Sequence, residues 1–150
     1  MRHRPLVLAL VLPALLSTVA WTSHRASLAA SEEAAVRAAL DHYLQGHATG
    51  DGAHHAAAMH PEGRMLFVRD GALQTRSFPE YIAGTSGKPA ADEAQRRRRI
   101  VSVDITGSAA TGKIELDYPQ ATLTDYMSLL KVDGEWKIVG KIFHSEPKKK

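Results

Sequence analysis

The sequence predicts an α+β domain, with helices gathered on one face of an antiparallel sheet. Two patterns lead there. Val36, Leu40, Tyr43, Leu44 and His47 recur at helical spacing in the first third of the chain. From Gln95 onward four extended segments follow, punctuated at Thr106-Gly107, Pro119-Gln120 and Asp133-Gly134. A length of 150 residues with 44% hydrophobic and 23% charged residues fits one globular domain rather than a disordered chain. The chain has no cysteine. That excludes a disulfide framework, a thiolate nucleophile, a cysteine zinc site and a lipid-modified cysteine.

The N-terminus carries Arg2 and Arg4, then an apolar run over 6–16 broken by Pro13, then Ser27-Leu28-Ala29. This is the pattern of a secretory signal peptide over residues 1–29, and the run is short for a spanning helix. It predicts a secreted or periplasmic protein with no membrane attachment after cleavage. Residues 1–29 hold Arg2, Arg4 and Arg25 and no acid. Without them, basic and acidic residues balance at sixteen each. The domain is expected over 30–146, with a disordered basic tail over 147–150.

Ser31 is the expected N-cap of the first helix, with Glu32 and Glu33 in its first turn and Gly46 at its end. Asp51 caps a second helix that stops at Met59, before Pro61. A hairpin turns at Asp70-Gly71. Ser77 and Glu80 form a capping box for a small third helix, with Pro79 in its first turn. Residues 84–94 read as a loop. The four strands of the C-terminal half complete the sheet.

Strand register follows from charge, because a one-residue slip sends every side chain to the other face. A three-residue turn that pairs Lys131 with Glu135 leaves one face without fixed charge. That face carries Tyr126, Leu130, Val132, Trp136, Ile138 and Ile142, with Thr122, Thr124, Ser128 and His144. Ile114, Leu116, Tyr118, Val101, Val103 and Ile105 join it. The opposite face carries Leu123, Asp125, Met127, Leu129, Val139, Lys141 and Phe143, with Asp125 directly opposite Lys141. Five large apolar side chains there form a patch that a second copy would cover, so a homodimer through this face is expected.

The blocks YLQGHATGD, MHPEGRM, DITGSAA, TDYMSLLKVDGEWKI and GKIF together resemble the putative lumazine-binding family of the nuclear-transport-factor-2-like superfamily, over about residues 32–146. The resemblance implies a cone-shaped roll, in which a curved sheet wraps the N-terminal helices and leaves a pocket at its open end. It also implies frequent dimerisation through the sheet. The superfamily mixes binders and enzymes, so the fold alone does not carry function.

Tyr43, Tyr118, Tyr126, Trp136 and His144 are the ligand-binding candidates on the inner face, with Tyr81 and Phe67 at the mouth. An isomerase of the ketosteroid kind needs a carboxylate on the pocket wall, and this register places Asp125, Glu115 and Asp117 outside. The expectation is therefore an exported, noncatalytic holder of an apolar or heterocyclic molecule, with no catalytic residue and no cofactor. The alternatives are an isomerase or cyclase in the same pocket, or a structural dimer with a filled cone. The histidines His42, His47, His54, His55, His60 and His144 show no metal-site spacing. The balanced charge and the split of Arg96 to Arg99 between faces argue against nucleic acid. Arg97 and Arg99 are expected to face inward, where they could meet an anionic ligand.

Overall fold

The computed structural model describes residues 14–149, with side chains from Arg25 onward. Arg2, Arg4 and most of the apolar run lie outside the described residues. Among the described residues, no helix is long and apolar enough to cross a membrane. The chain divides into two compact units, 1–31 and 32–150. Helix α1 spans Ala14–Thr49, so Ser31 lies inside a helix, and its Oγ bonds back to the Leu28 carbonyl at 2.8 Å. The cap is not used because the alanine-rich stretch around Ser31 contains no breaker. The helix ends at Thr49, past Gly46, and Gly50 takes φ +71°.

The second unit follows the expected order. Helix α2 (Gly52–Ala58) is capped by the Asp51 side chain. Strands β1 (Met59–Arg69) and β2 (Ala72–Ser77) turn through Asp70 and Gly71, both at positive φ. Helix α3 (Phe78–Ala83) carries the full Ser77/Glu80 capping box. Strands β3 (Arg97–Thr106), β4 (Ala109–Asp117), β5 (Ala121–Val132) and β6 (Glu135–Pro147) follow. The sheet order is β2-β1-β6-β5-β4-β3. Among the described residues, only the β1–β6 pairing is parallel. The β6 strand takes in Pro147, and Lys148 pairs with Asp117 at 2.6 Å.

The register differs from the expectation at the last hairpin. Val132 pairs with Glu135 across Asp133 and Gly134, at φ 52° and 85°: a two-residue turn in place of the three-residue one. A bulge then interrupts β6 between Ile138 and Gly140. Trp136 and Ile138 face inward before it, and Lys141 and Phe143 after it. On β5 the inward residues are Leu123, Asp125, Met127 and Leu129. The residues expected to form a dimer patch are therefore inner wall, and Val139 sits half-buried at the bulge. Tyr126, Leu130 and Ile142 face outward and are exposed instead. The charge argument failed because it counted isolated charges. Lys131 pairs with Glu32 at 2.6 Å, and Lys141 pairs with Asp125.

A second bulge, between Ile100 and Ser102 of β3, reverses the arginines. Arg98, Ile100, Val103 and Ile105 face in. Arg97 and Arg99 lie outward, opposite Asp117 and Glu115. Val36, Leu40 and Tyr43 of α1 pack on Ile114, Leu116, Met127, Leu129 and Ile138, all almost fully buried, and this forms the core beneath the site.

Candidate active site

Tyr43 of α1 reaches the inner wall where β5 and β6 carry Asp125 and Lys141. The two charged residues are diagonal neighbours: Asp125 faces Phe143, and Lys141 faces Met127. Lys141 Nζ lies 2.8 Å from Asp125 Oδ2 and donates to Tyr43 Oη at 2.6 Å. Tyr43 Oη donates to the same Oδ2 at 2.7 Å. Tyr43 and Asp125 are wholly buried and Lys141 is 5% exposed. Charges so placed persist because each neutralises the other. Burial pulls the Lys141 pKa below the usual lysine value, against the pull of Asp125. Burial, then the charge of Asp125, holds the Tyr43 hydroxyl well above its usual value. Asp125 Oδ1 is buried with no partner among the described residues.

Above this floor lies a shell of imidazoles and phenols. The Tyr43 ring meets His47 and His55 edge-on, at centroid distances of 4.7 and 5.2 Å. His55 reaches this position only because residue 46 is glycine; a Cβ there would lie 2.6 Å from the imidazole. Arg98 donates from Nε to Tyr118 Oη at 3.2 Å and from Nη2 to the His47 carbonyl at 3.1 Å, while Nη1 and Nη2 grip Glu93. Tyr118 Oη then contacts His47 Nδ1 at 3.2 Å, and His47 Nε2 contacts Tyr81 Oη at 3.1 Å. His47 thus bridges the two phenols, Nδ1 to Tyr118 and Nε2 to Tyr81.

His47, His55 and Tyr81 line a cavity of about 210 Å³, together with Arg76, Lys88 and Arg96. Burial and then the charge of Lys141 pull both imidazoles down, His47 well below its usual value and His55 to about 4. Both are neutral at pH 7. Burial and Asp125 raise the Tyr81 pKa, so its hydroxyl stays a donor. The site thus offers neutral imidazoles and a phenol around one small cavity, above a balanced Lys141–Asp125 pair.

Of the sequence candidates, Tyr43, Tyr118 and Tyr81 meet in this site. Trp136 is inner wall but lies elsewhere, donating to Glu32 Oε2 at 2.8 Å. Phe67 packs on Phe143, with centroids 5.0 Å apart. Tyr126 and His144 are not in the cone. The two-residue turn turns Tyr126 outward and the β6 bulge turns His144 outward, beside an apolar groove of about 530 Å³ that also holds Leu66 and Ile142. That groove is larger, but the two buried polar atoms without partners among the described residues, His55 Nδ1 and Asp125 Oδ1, belong to the cone. Sequence reasoning missed His55, Arg98, Asp125 and Lys141. The helical stripe did include His47, and Asp125 and Lys141 were visible as a cross-strand pair, on the wrong face.

Residues 31–144 match the putative lumazine-binding family. The chain belongs to this family. Its relatives agree with the fold. A nuclear-transport-factor-2-like protein of unknown function from Shewanella baltica superimposes with a TM-score of 0.71 at 26% identity, covering 79% of this chain and 97% of that one. A second, from Methylobacillus flagellatus, gives 0.67 at 25% identity, covering 77% and 93%. A curated relative in sequence is the aldolase FrzH of Cladobotryum sp., 26% identical over 121 residues, covering 81% of this chain and 97% of that protein. The family member described here is thus an α+β cone of the nuclear-transport-factor-2-like kind.

Two outcomes follow from the buried groups. Lys141→Met strands the Asp125 charge and costs about 3–5 kcal/mol of stability. The triple variant Tyr43→Phe/Asp125→Leu/Lys141→Met removes all three polar groups together and unfolds at higher urea than the single variant; the reverse order would contradict the pairing. The second outcome concerns pH. The folded protein holds His47 and His55 below their unfolded value near 6.5, so the unfolded chain binds more protons beneath that pH. The stability they confer is complete above pH 6.5 and declines as pH falls toward 4. Urea midpoints at pH 7 and pH 5, above the range where carboxylates titrate, should show the decline, and equal midpoints would refute it.

Proposed function

We propose that the cone is an active site for small carbonyl compounds, and that its chemistry is enolisation, the step shared by aldol addition and by isomerisation. The observation that carries this reading is the hydrogen-bond chain from Arg98 through Tyr118 and His47 to Tyr81, beside the neutral imidazole of His55. A ligand carbonyl oxygen accepts the Tyr81 proton in a hydrogen bond. The imidazole of His55 takes the proton from the adjacent carbon. The C–H electron pair becomes the C=C bond, and the carbonyl π pair moves onto oxygen. The resulting enolate either adds to a second carbonyl carbon or is reprotonated. Lys141 and Asp125 do not line the cavity; they hold Tyr43 beneath the imidazoles.

The expectation of a noncatalytic holder rested on an inner wall without a carboxylate, and Asp125 removes that premise. A relative named an aldolase supports the same direction. Binding without turnover is the second reading, favoured by the burial of Asp125 and Lys141 away from the cavity. The two separate in deuterium oxide, where proton NMR follows loss of the α-hydrogen signal across a panel of small ketones, aldehydes and 2-oxo acids. The wild-type protein accelerates exchange for at least one member. Tyr81→Phe and His55→Gln each slow it by about 10²–10³. A panel member that raises the melting temperature, with no exchange above buffer for any member, would establish the holder instead.

We infer that this activity operates after export. The N-terminal pattern supports it, as does the start of the family match at residue 31, beside the division of the chain between residues 31 and 32. N-terminal sequencing of protein recovered outside the cytoplasm should begin near Ala30, and material beginning at Met1 would overturn it.

A further inference from the structure

The cavity in front of His47, His55 and Tyr81 is lined by three cations, Arg76, Lys88 and Arg96, and by no carboxylate. Arg96 is occupied: it pairs with Asp92 at 2.8 Å and stacks on the Tyr118 ring at 4.2 Å. Arg76 and Lys88 make no ion pair among the described residues. The nearby carboxylate of Glu80 is committed to the capping box, accepting from the Ser77 backbone at 2.9 Å and from Ser77 Oγ at 2.7 Å. Behind the cavity, Lys141 is balanced by Asp125 and Arg98 by Glu93. Arg76 on β2 and Lys88 in the loop after α3 therefore line the cavity beside the imidazoles without an ion pair, although Arg76 still senses the Glu80 charge.

At about 210 Å³ the cavity takes a small molecule.

We propose that the substrate is a small carbonyl compound bearing an oxyanion group, carboxylate or phosphate, held by Arg76 and Lys88 with its carbonyl directed at Tyr81. This rests on the enolisation reading and names its substrate class. A guanidinium supplies paired donors for such a group, and an ammonium supplies a point charge. The arrangement has a second consequence. An anion beside His55 opposes the desolvation that keeps the imidazole weakly basic, so the substrate makes its own base stronger as it binds. The rim thus couples recognition to proton transfer. Arg97 and Arg99, expected from the sequence to meet an anion, lie on the outward face, and residues from β2 and the loop after α3 take that role.

The test uses matched probes on the intact protein: pyruvate against methyl pyruvate, and dihydroxyacetone phosphate against dihydroxyacetone. Dissociation constants are read by NMR titration at low salt. In the wild type at least one anion binds tenfold or more tightly than its neutral partner, and that pair identifies carboxylate or phosphate. The preference shrinks as salt rises. In Arg76→Gln/Lys88→Gln it falls at least fivefold, while the neutral partner binds as before. Both side chains are exposed, so the variant folds, which its melting temperature checks. Lys88→Glu alone moves the preference in the same direction. Equal binding of charged and neutral partners, undiminished anion binding in the double variant, or no binding of either anion at 10 mM overturns the proposal. Failure here is distinct from failure of the enolisation reading: exchange on the neutral probes would persist in the first case, and anions would bind without any exchange in the second.

Discussion

The buried contact between Lys141, Asp125 and Tyr43 is the constraint on which the inner wall depends. Neither charge survives in that environment alone, since the dehydration of one ion is repaid only by the other. Their meeting requires β5 and β6 to present residues at diagonal positions on one face, and α1 to bring a hydroxyl down between them. The rest of the site follows. Tyr43 is held upright, His47 and His55 pack against its ring, and the positive charge below helps to keep both imidazoles unprotonated.

Two β-bulges make this wall possible. In β6 the alternation before the bulge places Trp136 and Ile138 inside, and unbroken alternation would continue with Gly140, Ile142 and His144. The extra residue substitutes Lys141 and Phe143. In β3 the same device exchanges Arg97 and Arg99 for Arg98. Each bulge turns one cation inward, and each cation finds a carboxylate. The apolar halves of the strands stay in phase with the core, and the polar halves are re-aimed toward the site. The β6 bulge leaves Ile142 exposed on the outward face, beside Tyr126 and Leu130 of β5.

A fold of this kind hosts unrelated functions, so the argument for chemistry must come from the site. Here it comes from protonation states. Neutral imidazoles beside a phenol form a donor–acceptor pair around one small cavity. The carboxylate and the lysine lie beneath them and do not line the cavity.

Local signals in the sequence determined the elements. The Asp51 cap, the Ser77/Glu80 box, the Asp70-Gly71 and Asp133-Gly134 turns and the helical stripe from Val36 to His47 each depend on residues a few positions apart, and each appears in the structure. The α+β class and the family resemblance were legible for the same reason. Facing was legible only in part. A bulge leaves no mark in composition, and it inverts every side chain after it, so His144 left the cone and Lys141 entered it; the shorter Asp133-Gly134 turn did the same on β5 for Tyr126 and Asp125. The rule that charge stays outside holds for a charge considered singly. Whether two charges are partners is a fact about three-dimensional neighbours, decided only when β5, β6 and α1 come together.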